Sequence, residues 1–119
     1  MIVLLDTNIV IGFLNGRLDP SVLLKSREGR VSVVTVMELF ALPGLGEDEL
    51  ETISSVLVTY PPIPILEGTA KRAGELARTY RRGRADLLIA ATALEYGMAL
   101  LTQNVRDFKA IRGMKFVSV

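Results

Sequence analysis

Met1-Ile-Val-Leu-Leu-Asp6-Thr7-Asn8 opens the chain, and its reading decides the fold. Ile2 to Leu5 is an unbroken apolar run, the pattern of a strand buried on both faces in a parallel sheet. A carboxylate follows at once. Working outward, Asn8 to Leu14 reads as a helix stopped near Gly16. Pro20 to Arg27 is a second short helix, capped by Asp19 with Pro20 at its first position. Val31 to Val34 is a second β-branched run that feeds into Thr35-Val-Met-Glu38, the Ser/Thr-x-x-Glu pattern of a helix start, in a helix ending near Pro43-Gly44. Glu47 to Leu57 is helical and acidic in its first turn, as the helix dipole favours. Three prolines in Tyr60-Pro-Pro-Ile-Pro-Ile65 allow only a short strand at a sheet edge. Glu67 to Arg82 has helical spacing, and Ala85 to Tyr96 is apolar almost all round, a buried helix closed by Gly97. Ala99 to Thr102 and Lys115 to Val119 read as the last two strands, with a short helix over Val105 to Ile111 between them.

Strands alternating with helices predict a three-layer α/β/α domain with a parallel sheet. No repeat or linker-like stretch divides the chain, so one domain is expected over residues 1–119. Sites in such sheets form beyond the carboxyl ends of the strands, where the strand order reverses. Asp6 ends the first strand, Glu38 opens the helix after the second, and Asn104 and Asp107 follow the fourth. Asp86 stands near the start of the buried helix that leads into that fourth strand. All five are candidates to meet at one end of the sheet.

The composition excludes several chemistries. Among 119 residues there is no Cys and no His, which removes disulfides, thiolate or imidazole zinc sites, Ser–His–Asp triads and Cys nucleophiles. A metal held by oxygen alone is a hard cation such as Mg²⁺ or Mn²⁺. The N-terminal apolar run has no basic lead-in and is broken by Asp6, unlike a signal peptide. Leu87 to Leu94 is far shorter than the roughly 20 residues of a membrane helix. A cytoplasmic protein without a membrane segment is expected.

Each carboxylate has a structural explanation beside the functional one. Asp6 is a good N-cap, a role compatible with metal binding because a carboxylate has two oxygens. A capping box accounts for Thr35 and Glu38 without any site. Asp86 interrupts an apolar helix, where a buried charge is costly unless paired or metal-bound; the alternative is a first-turn acid with Arg84 or another Arg as partner. Asp107, beside Arg106 and Lys109, fits a solvated face, and Asn104 fits a helix cap.

Four blocks, in order, resemble the PIN-domain family, and within it the VapC-type ribonuclease toxins of prokaryotic toxin–antitoxin pairs. They are Leu-Leu-Asp6-Thr-Asn8, Ser32-Val-Val-Thr-Val-Met-Glu38-Leu, Ala85-Asp86-Leu-Leu-Ile-Ala-Ala-Thr-Ala, and Leu100-Leu-Thr102-Gln-Asn104-Val-Arg-Asp107-Phe108. The resemblance implies about five parallel strands, divalent-metal-dependent endoribonuclease activity, a cognate antitoxin seated in the active-site groove, and a homodimer. Asp6, Glu38 and Asp86 match the family's three acidic positions. Many relatives carry a fourth acid two residues after the Thr, where this chain has Asn104; Asp107, three residues on, is the other candidate for that charge.

Phosphodiester hydrolysis needs an activated water, neutralised charge at phosphorus and help for the leaving oxygen, which one or two Mg²⁺ ions supply. The expected direct ligands are Asp6 and Asp86. Glu38 is expected to bind metal or orient the attacking water, with Asp107 or Asn104 behind them and Thr7 and Thr102 orienting carboxylates. Net charge alone, +1, does not argue for RNA. With four acids neutralised by metal, fourteen basic residues would face nine acidic ones, +5. Arg81, Arg82 and Arg84, with Arg78, precede Asp86 as phosphate contacts or as a solvated helix end. Two rivals stand against the enzyme: a phosphoacceptor receiver domain, disfavoured by the single Asp6 and the proline-rich third strand, and a non-catalytic scaffold. The dimer face is expected between Glu38 and Tyr60.

Overall fold

The structure, a computed structural model, describes residues 2–117. Strand β1 (Ile2–Leu5) leads into helices α1 (Thr7–Leu14) and α2 (Pro20–Leu24), then strand β2 (Glu28–Ser32). Helices α3 (Val33–Phe40) and α4 (Glu47–Thr59) precede the two-residue strand β3 (Pro62–Ile63). Helices α5 (Glu67–Thr79) and α6 (Arg84–Tyr96), strand β4 (Ala99–Leu101) and helix α7 (Val105–Phe108) complete the order. All pairings are parallel, and the strand order is β3-β2-β1-β4. The chain winds from β1 out to the β3 edge and then crosses back to lay β4 on the far side of β1. The order therefore reverses between β1 and β4, and that crevice is where an open α/β sheet offers a site.

The sheet is buried on both faces because its residues alternate between two cores. Val3, Leu5, Val31, Ala99 and Leu101 pack with Ile9 and Val10 of α1, Leu24 of α2 and Ile53 of α4. Leu4 and Leu100 point the other way, onto Ile89, Ala90 and Ala93 of α6 and Phe108 of α7. Helix α3 serves both layers, with Leu39 in the first and Val34 in the second. On the first face Gly29 is needed for close approach: a Cβ there would lie 2.9 Å from Tyr60 Cδ1 and 3.1 Å from Leu5 Cδ1. Gly97 ends α6 with a left-handed φ of 61°, the C-terminal stop that glycine adopts without Cβ strain.

Four strands form where about five were expected. The fifth is a single parallel bridge, Leu100 with Phe116, flanked by Leu100 N–H donating to Lys115 O and Val117 N–H donating to Leu100 O; residues 118 and 119 of the expected strand lie outside the described residues. Three helices are shorter than their patterns. Lys25 and Ser26 take positive φ and end α2 before Arg27, α5 stops at Thr79 rather than Arg82, and α7 stops at Phe108 rather than Ile111. The second strand and its helix are displaced towards the N-terminus. β2 starts at Glu28 and is over by Ser32, whose Oγ accepts from Val34 N–H as the N-cap of α3. Thr35 and Glu38 are therefore not a capping box; both lie inside the helix. Among the described residues no helix is long and apolar enough to cross a membrane.

Candidate active site

Asp6 is held at the carboxyl end of β1 by the sheet and by the helix after it. Its N–H donates to Leu101 O at 3.0 Å, extending the β1–β4 ladder by one residue. Its extended backbone makes it the N-cap of α1, with Oδ1 accepting from Thr7 N–H at 2.9 Å. Oδ2 accepts from Thr102 Oγ1–H at 2.7 Å, just past the end of β4. Thr102 Oγ1 in turn accepts from Asn104 N–H at 3.0 Å. Capping and a place at the crevice thus belong to one residue, and each oxygen keeps a lone pair for another partner. Asp6 is buried. Burial, first, pushes its carboxyl above the usual 3.8, and the charges of Asp86 and Glu38 add to the rise, against the Thr102 and Thr7 hydrogen bonds.

Glu38 reaches the same place from α3. Helical spacing puts Thr35 and Glu38 three residues apart on one face, and that face meets the start of α1. Thr7 Oγ1 lies 2.6 Å from Glu38 Oε1 and 2.8 Å from Thr35 Oγ1. Thr7 has one hydroxyl proton, and it is donated to Glu38 Oε1. Thr35 therefore donates to Thr7. Sequence reasoning missed Thr35 as a site residue because it satisfied a capping pattern; the signal against that pattern was Ser32, an equally good cap three residues earlier.

Asp86 is in the first turn of α6, half-buried at the mouth of the crevice. Burial raises its carboxyl above 3.8, followed by the charges of Glu38 and Asp107, while Arg82 opposes the rise. Arg82, rather than Arg84, is thus the cation that bears on it. Arg82 Nη1 also stands 4.0 Å from Asp107 Oδ1, both side chains more than a third exposed, an arrangement worth little in stability. Asp107 therefore adds its charge to the group. Asn104 is exposed, makes no side-chain cap bond, and contributes its backbone N–H to Thr102. Arg81, Arg82 and Arg84 are exposed at the α5–α6 junction beside Asp86.

Four acids from four elements thus face one crevice, and two, Asp6 and Asp86, carry carboxyls raised by burial and by the charge of neighbouring acids. Among the described residues no three acids close into a ready-made metal cage, and no buried side-chain polar atom lacks a hydrogen-bond partner. This all-oxygen set fits a hard cation that takes one or two carboxylates and keeps several waters. An apolar pocket of about 300 Å³, between Ile11, Leu42, Leu45 and Ile53, lies apart from these acids.

Residues 3–114 match the PIN domain family model. The chain is 34% identical over 113 residues to ribonuclease VapC19 of Mycobacterium tuberculosis, covering 88% of this chain and 90% of that protein. Its structure is similar to VapBC-1 of nontypeable Haemophilus influenzae, with a TM-score of 0.83 and 27% identity over 98% of this chain and 96% of that one. It is also similar to a toxin–antitoxin complex from Klebsiella pneumoniae, with a TM-score of 0.78 and 28% identity over 98% of both chains. A receiver domain is thereby set aside, and the extent of the match over a shared fold carries the assignment: this chain belongs to the PIN-domain family.

Proposed function

We propose that the chain is a Mg²⁺- or Mn²⁺-dependent endoribonuclease, the toxin of a toxin–antitoxin pair, cutting RNA at the Asp6–Glu38–Asp86 group. The observation that carries this reading is the pair Asp6 and Asp86, drawn to the β1–β4 crevice with carboxyls raised by burial and shared negative charge. A site built to a purely structural end would not gather like charges there, and divalent metal relieves them. Asp6 and Asp86 would hold the metal, with Glu38 as a further ligand or the group that orients the attacking water. When bound, Mg²⁺ or Mn²⁺ supplies charge neutralisation at the phosphate and a more acidic water.

The chain's own residues do the rest. Thr102 and the Thr7 N–H fix both oxygens of Asp6, so that its free lone pairs point in set directions. Thr7 Oγ1 orients Glu38 in the same way. Asp107 adds negative charge next to Asp86, while Arg81, Arg82 and Arg84 offer phosphate contacts along the approach. The antitoxin and a homodimer follow as partners. The first is supported by similarity to a solved toxin–antitoxin complex, the second by the exposed apolar Val33, Met37 and Phe40 on α3.

The test is incubation of purified protein with RNA, with and without Mn²⁺, alongside Asp86→Asn. Metal-dependent cleavage lost in the variant is expected. Cleavage that Asp86→Asn retains would come from a contaminating nuclease, and no cleavage by the wild-type chain would favour a binding scaffold.

A further inference from the structure

We propose that Thr35 is a positioning residue for Glu38, acting through the Thr7 hydroxyl; this rests on the ribonuclease reading of Glu38. Thr35 is fully buried in the first turns of α3. A threonine well inside a helix can donate its hydroxyl proton to the carbonyl four residues back. Thr52, Thr59 and Thr92 do so here, to Asp48, Ser55 and Leu88. Thr35 instead bonds across to a different element, at 2.8 Å from Thr7 Oγ1.

The direction of that bond follows from proton count. Thr7 commits its one proton to Glu38 over 2.6 Å, so only the Thr35 proton is left to fill the Thr35–Thr7 contact. Donation by Thr35 has two effects. It fixes the Thr7 side chain with its proton aimed at Glu38, and it polarises the Thr7 hydroxyl, since chained hydrogen bonds strengthen one another. Glu38 is half-buried at the end of a helix segment with an exposed Met37 beside it. Its carboxylate has no ion pair among the described residues to hold it. The Thr35–Thr7 chain is the contact that pins it.

The experiment compares the full chain with Thr35→Val, Thr35→Ala and Thr35→Ser. Two readouts are taken: Mn²⁺ binding from the paramagnetic resonance of the free ion, and RNA cleavage at saturating Mn²⁺ resolved into kcat and KM. Circular dichroism confirms which variants are folded. Loss of an orienting group behind a ligand typically costs about tenfold or more in affinity or rate. Both hydroxyl-free variants are therefore expected to bind Mn²⁺ about tenfold more weakly and to lose kcat by a similar factor with KM little changed. Thr35→Ser should restore both. A folded Val or Ala variant with wild-type Mn²⁺ affinity and kcat overturns the proposal, as does a Ser variant as impaired as Val, which would assign the effect to the lost methyl. A wild-type chain that neither binds Mn²⁺ nor cuts RNA overturns the ribonuclease reading itself.

Discussion

Replacing Thr102 by Val keeps the side chain's size and removes one hydroxyl, and the structure says what that hydroxyl holds. It donates to Asp6 Oδ2 at 2.7 Å between two buried residues and accepts from Asn104 N–H at 3.0 Å. A hydrogen bond to a charged group contributes about 1.5–3 kcal/mol. Asn104 is exposed, so water replaces most of the second bond. The expected loss is about 2 kcal/mol near neutral pH, which for a chain of this size is a fall of roughly 6–10 °C in melting temperature.

The loss must depend on pH, and its sign is set. Asp6's folded carboxyl lies above its ordinary 3.8, burial being the main cause and Thr102 the largest opposing influence. A raised carboxyl means that the unfolded chain ionises first, so ionised Asp6 costs stability above the folded value, and the cost fades as pH falls through that value towards 3.8. Thr102 favours the ionised form, so its removal costs most where Asp6 is ionised. Chemical denaturation in chelator at about pH 7.5 and about pH 4.5 reads this directly. A destabilisation that shrinks at the lower pH is expected, with Thr102→Ser close to wild type. A loss under about 0.5 kcal/mol near neutral pH, or an equal loss at both, would refute the role given to the Thr102–Asp6 bond.

Asp6→Asn should abolish RNA cleavage and melt at or above the wild-type temperature, since it removes a buried charge whose carboxyl is already raised; an unfolded variant would show that the cap of α1 matters more than the site. Mn²⁺ added to chelator-treated protein should raise the melting temperature, by the equivalent of about 2.7 kcal/mol at a hundred times Kd, and a flat titration would count against metal at these acids. Gly29→Ala should destabilise by about 1–3 kcal/mol in denaturant, because the new Cβ meets the Tyr60 ring and Leu5. Changing Arg81, Arg82 and Arg84 together to Gln should weaken RNA binding and flatten its salt dependence. The log–log slope should fall by about 0.7 for each phosphate of a single strand that the variant no longer neutralises; an unchanged slope would place the RNA elsewhere.

The sequence by itself determined the order of elements, the parallel sheet, the edge position of the proline-rich strand, the stop at Gly97 and the acid at the end of β1. All of these rest on local patterns: apolar runs, helical spacing, and the backbone limits of proline and glycine. Asp6, Glu38 and Asp86 were legible as candidates from their places relative to the strand ends. What tertiary structure decided was which partners those acids keep. Thr102 meets Asp6 across 96 positions of chain, and Thr7 meets Glu38 across 31, separations over which no local pattern carries information. The start of α3 was placed three residues late, at Thr35, for the same reason, since Ser32 and Thr35 are equally good caps in isolation. Pairing of β2 with both β1 and β3 ends the strand at Ser32 and leaves Thr35 free to meet Thr7. That the charges of Asp107 and Arg82, rather than that of Arg84, bear on Asp86 follows likewise from how α6 and α7 pack against the sheet. Carboxylate chemistry was written in residue types; its geometry came from contacts between elements that the chain order keeps far apart.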